Sequence, residues 1–263
     1  MQKDISKGIA HADLKACDIE KCHNSFCSDR RINHVQTVFC NRIMQGGHRN
    51  FINQQDDSCI FNYYSPDNAV LFNHNNDDGE LFVKDLCSYS LKNPNQPGSV
   101  GLAFDFTEAH NYLISSGLLS GCSFAVLKSG NRIIVIHAGA VNDNNNMPDP
   151  RGLYKNADLL CMANYLAGHQ LLNNLSQMDI VQMVELLNSF NYRGFVFYKS
   201  DMSKVAIKTS NVTGYSYSMV NLNYPFADVV CLINKVGKMQ IALRPLSGIR
   251  KVSKTYKLWS TQL

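Results

Sequence analysis

The chain has 263 residues, of which 45% are hydrophobic and 17% charged, with 13 Phe and 12 Tyr; this is apolar mass enough for a sizeable core and excludes a disordered or fibrous chain. The net charge of +4 comes without the dense basic cluster that a nucleic-acid binder carries. No run of eighteen apolar residues exists, so no transmembrane helix is expected, and the first thirty residues lack the apolar stretch of a secretory signal peptide.

Residues 1–57 are polar and poor in long periodic runs. They are read as an N-terminal segment of unassigned role, separate from or continuous with a domain spanning 58–263. Cys17, Cys22, Cys27 and Cys40 lie here near His23, His34 and His48, but the C-x4-C-x4-C spacing is not that of short zinc knuckles. No metal site is expected. Nine scattered cysteines, an odd number, do not make a small disulfide scaffold and point to a reducing working compartment.

From Cys59 the pattern changes to short apolar or aromatic runs separated by Asn, Asp, Pro and Gly, which is strand-and-turn punctuation. "CIFNYY", "AVLFN", "ELFVKDL" and "GLAFDF" are expected strands, with a loop over 90–99. The segment "TEAHNYLISSG" is expected to be a short helix, with Thr107 as N-cap and Gly117 near its end. Two apolar strands then flank a Ser-Gly-Asn turn in "LSGCSFAVLKSGNRIIVIHAGAV", and 142–152 is a surface loop. "NADLLCMANYLAGHQLLNNL" reads as a helix whose Leu159, Leu160, Met162, Ala163 and Leu166 face the core. In "SQMDIVQMVELLNSF", Ile180, Met183, Val184 and Leu187 follow helical spacing. "RGFVFYKS", "KVAIKT", "GYSYSMV", "DVVCLINKVG" and "KMQIALRP" return to strands, and the locally basic stretch from Arg244 to Lys257 is read as a solvated edge. The fold class is α+β, with sheet outweighing helix.

Chemistry centres on the hairpin. A two-residue turn at Ser129–Gly130 would pair Lys128 with Asn131 and set Cys122 directly opposite His137, with Cβ atoms about 4.5–5.5 Å apart. A three-residue turn would set His137 opposite Ser123 instead. A thiol is a strong nucleophile as thiolate, and an adjacent imidazole can take its proton. Gly121 removes a side chain where a substrate carbonyl must approach, and backbone N–H groups around Ser120, Gly121 and Cys122 are candidates for an oxyanion site. By these residues alone a buried Cys and His are more often inert than reactive, and the papain-type C-G-[SA]-C-[WY] context is absent.

"LSGC", followed fifteen residues after its cysteine by a His ending an apolar strand, resembles the catalytic domain of the cytotoxic necrotizing factors and the smaller Burkholderia lethal factor. These are bacterial toxins that deamidate a glutamine of a host protein and share a cysteine–histidine core with the chemotaxis deamidase CheD. The resemblance covers about twenty residues. It implies a central β-sandwich of mixed, mostly antiparallel sheets flanked by helices, with Cys122 as nucleophile and His137 as base. In the lethal-factor and CheD branches a threonine six positions before the cysteine orients the histidine, and here that position is Ser116. In the necrotizing-factor branch a backbone carbonyl from an earlier segment does so. The expected activity needs no cofactor, and its expected partner is a host protein, a Rho-type GTPase before a translation-initiation helicase. A monomer secreted by a bacterium and acting in the host cytosol is expected, with transglutamination as a side activity. The competing readings are an unrelated cysteine hydrolase and a binding module in which Cys122 and His137 are core residues.

Overall fold

A computed structural model of the chain describes residues 36–42, 49–54, 59–62, 80–85, 98–106, 110–139, 152–170, 172, 175, 177–199, 206–217, 226–233, 238–247, 251–252 and 257–262. Its strands begin with β1 (Gln36–Arg42), β2 (Arg49–Gln54), β3 (Cys59–Asn62), β4 (Glu80–Asp85) and β5 (Gly98–Asp105). β6 (His110–Leu119), β7 (Ser123–Ser129) and β8 (Arg132–Ala138) lead to two helices, α1 (Leu153–Ala167) and α2 (Ile180–Ser189). There follow β9 (Arg193–Tyr198), β10 (Ala206–Lys208), β11 (Val212–Ser216), β12 (Phe226–Ile233), β13 (Lys238–Ser247), β14 (Lys251–Val252) and β15 (Lys257–Gln262).

The strands form two sheets. One runs β10-β11-β9-β7-β8-β5-β1-β2 and the other β14-β13-β12-β6-β4-β3, with β15 also on β13. Most pairs are antiparallel; β9 with β11 and β4 with β6 are parallel. The fold is α+β, and the sheets pack as a sandwich. In β8, Ile133 and Val135 join Phe124, Ile114 and Val229 between the sheets, while Ile134, Ile136 and Ala138 pack with α1 and α2 on the other side. Side chains alternate along a strand, so a strand covered on both faces must be apolar throughout. That is why "RIIVIHA" shows no polar–apolar alternation.

The helices lie as their patterns require. Leu159, Leu160, Met162, Ala163 and Leu166 of α1, and Met183, Val184 and Leu187 of α2, are buried against the first sheet, with Ile180 at the margin. Asp179 caps α2 by accepting from the Val181 and Gln182 N–H groups, and Gln182 returns a bond from the Asp179 N–H, a full capping box. α1 ends at Gly168, whose φ of 73° is left-handed, so the helix expected to run on through Leu175 stops earlier.

Three further expectations change. The segment expected as a helix at 107–117 is β6 over its described part, because Tyr112, Ile114 and Ser116 alternate inward between β12 and β4. Residues 36–54 hold two strands, β1 and β2, which extend the first sheet through β5. The hairpin turn is Gly130–Asn131, one residue later than expected, with Ser129 paired to Arg132. Gly130 has φ 59°, the left-handed conformation that the first position of such a turn demands and that a serine there resists. "AVLFN", most of the loop over 90–99, most of 142–152, and Cys17, Cys22, Cys27, His23, His34 and His48 lie outside the described residues. No helix among the described residues is long and apolar enough to cross a membrane.

Candidate active site

β6 belongs to one sheet and β7 to the other, so Ser120–Gly121–Cys122 is the corner where the chain crosses between them. At this corner the strands end and side chains can meet solvent. Cys122 is half-buried at the margin of the sandwich core, with Ser120 exposed beside it. His137 ends β8, is 1% exposed, and sets its ring edge-on to Phe124 at a centroid distance of 6.5 Å.

The shifted turn changes how the two residues relate. Phe124, not Cys122, pairs with His137, and the ladder stops at Ser123 with Ala138. Were that register continued, Cys122 would fall level with Gly139, diagonal to His137. The shift is by two positions, which preserves the sheet face, since sides repeat every second residue. Backbone positions in such a diagonal are about 7–8 Å apart, still within reach of long or aromatic side chains.

The orientation of His137 comes from the opposite sheet. Its Nδ1 lies 3.1 Å from the Ser116 carbonyl oxygen. A carbonyl only accepts, so Nδ1 carries the hydrogen and donates it; the buried Nε2 is then the basic nitrogen. This contact depends on a β-bulge. Asp228 pairs with Leu118 and Val230 with Ser115, so β6 places one more residue than β12 across this interval. A bulge takes backbone groups out of the ladder, here turning the Ser116 carbonyl to the histidine. The Ser116 hydroxyl is elsewhere, accepting from the Val229 N–H at 2.9 Å. Position 116 therefore meets His137 through its main chain and not through the side chain that its threonine-like place suggests.

The corner itself is held on all three of its carbonyls. Lys199 donates to Ser120 at 3.1 Å, Lys155 donates to Gly121, and the Tyr217 hydroxyl donates to Cys122 at 2.9 Å. Lys199 follows the last residue of β9, and Tyr217 follows β11, its N–H bonding the Tyr198 carbonyl at 3.0 Å. Lys155 comes from the first turn of α1. Burial, and after it the charge of a Cys122 thiolate, push the Tyr217 phenol well above its ordinary range, so it stays a neutral donor.

Ser116, Ser120, Gly121, Cys122 and His137 thus come to one end of the sandwich. Sequence reasoning misses Lys155, Lys199 and Tyr217, which lie 34, 79 and 95 positions from the carbonyls they hold. No local pattern could have linked them. Among the described residues no group of three or more His, Cys, Asp or Glu side chains is placed to hold a metal ion. A half-exposed thiol, an imidazole of fixed tautomer and an ordered backbone corner are the parts required for acyl transfer through a thioester.

No protein-family profile and no curated protein matches the sequence. Among solved structures, the chain is similar to the C-terminal domain of CNFy from Yersinia pseudotuberculosis, with a TM-score of 0.59, covering 99% of this chain and 100% of that one. Identity over that alignment is 12%, so the likeness is one of fold.

Proposed function

We propose that this chain is a toxin-type protein-glutamine deamidase. The observation that carries the reading is the His137 Nδ1 bond to the Ser116 carbonyl, because it leaves Nε2 as the base at the end of β8, where the paired strand β7 begins one residue after Cys122. The fold shared with the CNFy domain supports it, as does the resemblance of "LSGC…H" to the necrotizing factors.

Nε2 of His137 takes the thiol proton as Cys122 Sγ attacks the side-chain amide carbon of a protein glutamine. The C=O electron pair moves onto oxygen, and that oxyanion rests on the N–H groups of Gly121 and Cys122. His137 returns the proton to the departing nitrogen, the C–N bond breaks and ammonia leaves. Water, deprotonated by Nε2, then opens the thioester to give glutamate and the free thiol. A primary amine in place of water gives transglutamination at the same site. No cofactor enters either half-reaction.

The substrate is a host protein, and a Rho-family GTPase suits the chemistry. Converting a glutamine that positions hydrolytic water into glutamate removes a donor NH2 and adds a charge, which holds the GTPase active. A translation-initiation helicase is the alternative target. Action in the host cytosol after secretion from a bacterium follows from either.

The test is mass spectrometry of a host-cell lysate treated with the protein. Glutamines that gain about one dalton with wild type and not with Cys122→Ser are the expected result. The same gains with the variant would remove the assignment, and cleaved peptide bonds instead would turn it into a protease.

A further inference from the structure

In a trans peptide the C=O of one residue and the N–H of the next lie in one plane and point in opposite directions. The described residues contain no cis peptide. Fixing a carbonyl therefore aims the following N–H. Lys199 on the Ser120 carbonyl aims the Gly121 N–H, and Lys155 on the Gly121 carbonyl aims the Cys122 N–H. These are the two donors assigned above to the oxyanion, so the inference rests on that reading and deepens it.

Lys155 is a costly residue for this place. It is 4% exposed, and it sits in the first turn of α1, where the helix dipole repels a cation. Its stem also constrains a neighbour. A Cβ on Gly152, whose φ is 67°, would come within 2.5 Å of Lys155 Cε and 3.1 Å of Nζ. A glycine there gives the lysine its path to the corner. Burial and dipole both select against a cation here, and the ammonium nonetheless reaches the Gly121 carbonyl.

We infer that Lys155 and Lys199 are positioning residues of the oxyanion site: they clamp the Gly121 and Ser120 carbonyls so that the Cys122 and Gly121 N–H groups converge on the oxygen of the tetrahedral intermediate. They touch no reacting atom. Their ammonium charges, one peptide removed, also favour the negative oxygen.

The test uses two reagents on Cys122. Butyraldehyde copies the glutamine side chain, and its hemithioacetal draws on the oxyanion site: the S–C bond forms, the C=O π pair becomes a lone pair, and the thiol proton passes to His137 Nε2, leaving the negative oxygen on the two N–H groups. Iodoacetamide alkylates the same sulfur by displacement and places no new charge on its carbonyl. Carbon-labelled butyraldehyde is titrated by NMR into the whole protein, wild type and Lys199→Met, with Cys122→Ser as blank. The expected result is aldehyde binding weakened about tenfold or more, on the scale of a disturbed oxyanion donor, while iodoacetamide labelling stays within about twofold and Tm is unchanged. Lys199→Arg should restore most of the binding. Lys155→Met should show the same split; because Lys155 is buried, this is read only where Tm is retained, and Lys199 decides otherwise. Equal aldehyde affinity in Lys199→Met and wild type overturns the clamp, as does a parallel loss with both reagents. No Cys122-dependent adduct in wild type also overturns it. Ammonia release by wild type decides the deamidase reading separately: release with an indifferent Lys199→Met sinks the clamp alone, and an aldehyde split without release sinks the deamidase alone.

Discussion

His137 is oriented by a main-chain atom, and this sets what side-chain replacement at position 116 can do. Ser116→Ala keeps the carbonyl and removes only the hydroxyl that accepts from Val229. The proposed deamidation should stay within a few-fold of wild type, whereas unfolding free energy should fall by about 1–2 kcal/mol for the orphaned buried N–H. Chemical denaturation beside an activity assay reads both; loss of activity at unchanged stability would return the role to the hydroxyl. The cysteines offer a second check. Cys122 is half-buried, while Cys161 and Cys231 are buried, and burial raises the Cys231 thiol far above its usual range. Among these three, iodoacetamide at neutral pH should label Cys122 first, read by peptide mass mapping, with Cys231 silent until the protein unfolds. Equal rates at all three would contradict the exposed corner.

At the level of elements, the bulge in β6 and the left-handed turn at Gly130 determine where the pair sits. The turn follows from glycine's own backbone freedom, whereas the bulge does not follow from local propensity. Gly194 shows how tightly the strands bearing the corner are joined: with φ 144°, a Cβ there would lie 2.1 Å from the Val126 carbonyl of β7. Gly194→Ala should destabilise by at least about 2 kcal/mol through overpacking and backbone strain, seen as a lower urea midpoint. Asp179→Ala should cost about 1 kcal/mol for the lost α2 cap and leave the proposed deamidation intact, since the Asp179 side chain bonds only the first turn of α2 among the described contacts. The helices were legible because each carries its own period; the end of α1 was not, since it stops at Gly168 rather than running on through Leu175. β6 was not, because "TEAHNYLISSG" offers capping residues at both ends while its strand state depends on β12 and β4, distant in sequence.

Across the whole molecule, one core lies between the sheets and a second between the first sheet and the helices. Buried tyrosines tie both layers to pH. Burial raises Tyr198 from 10.0 to about 12 and pushes Tyr192 and Tyr217 up as well. Their neutral forms are favoured in the fold. Above pH 10 the unfolded chain ionises them while the native state keeps its protons, so the native state binds more protons and stability falls as pH rises. Stability should be indifferent to these groups below pH 10 and decline between 10 and about 12. The tyrosinate absorbance lost when Tyr192, Tyr198 and Tyr217 are replaced by Phe should appear together with the change in circular dichroism; if it appears before unfolding, these phenols are accessible.

The amino-acid sequence by itself determined the α+β class, the core faces of α1 and α2, and the strands around the Gly130 turn. These follow from local periodicity, capping and the two-residue repeat of a strand, which neighbours along the chain settle among themselves. Tertiary structure alone decided that the Ser116 carbonyl and not its hydroxyl meets the imidazole, and that Lys155, Lys199 and Tyr217 hold the corner. Those contacts join different sheets and layers, and their geometry exists only once the layers have packed.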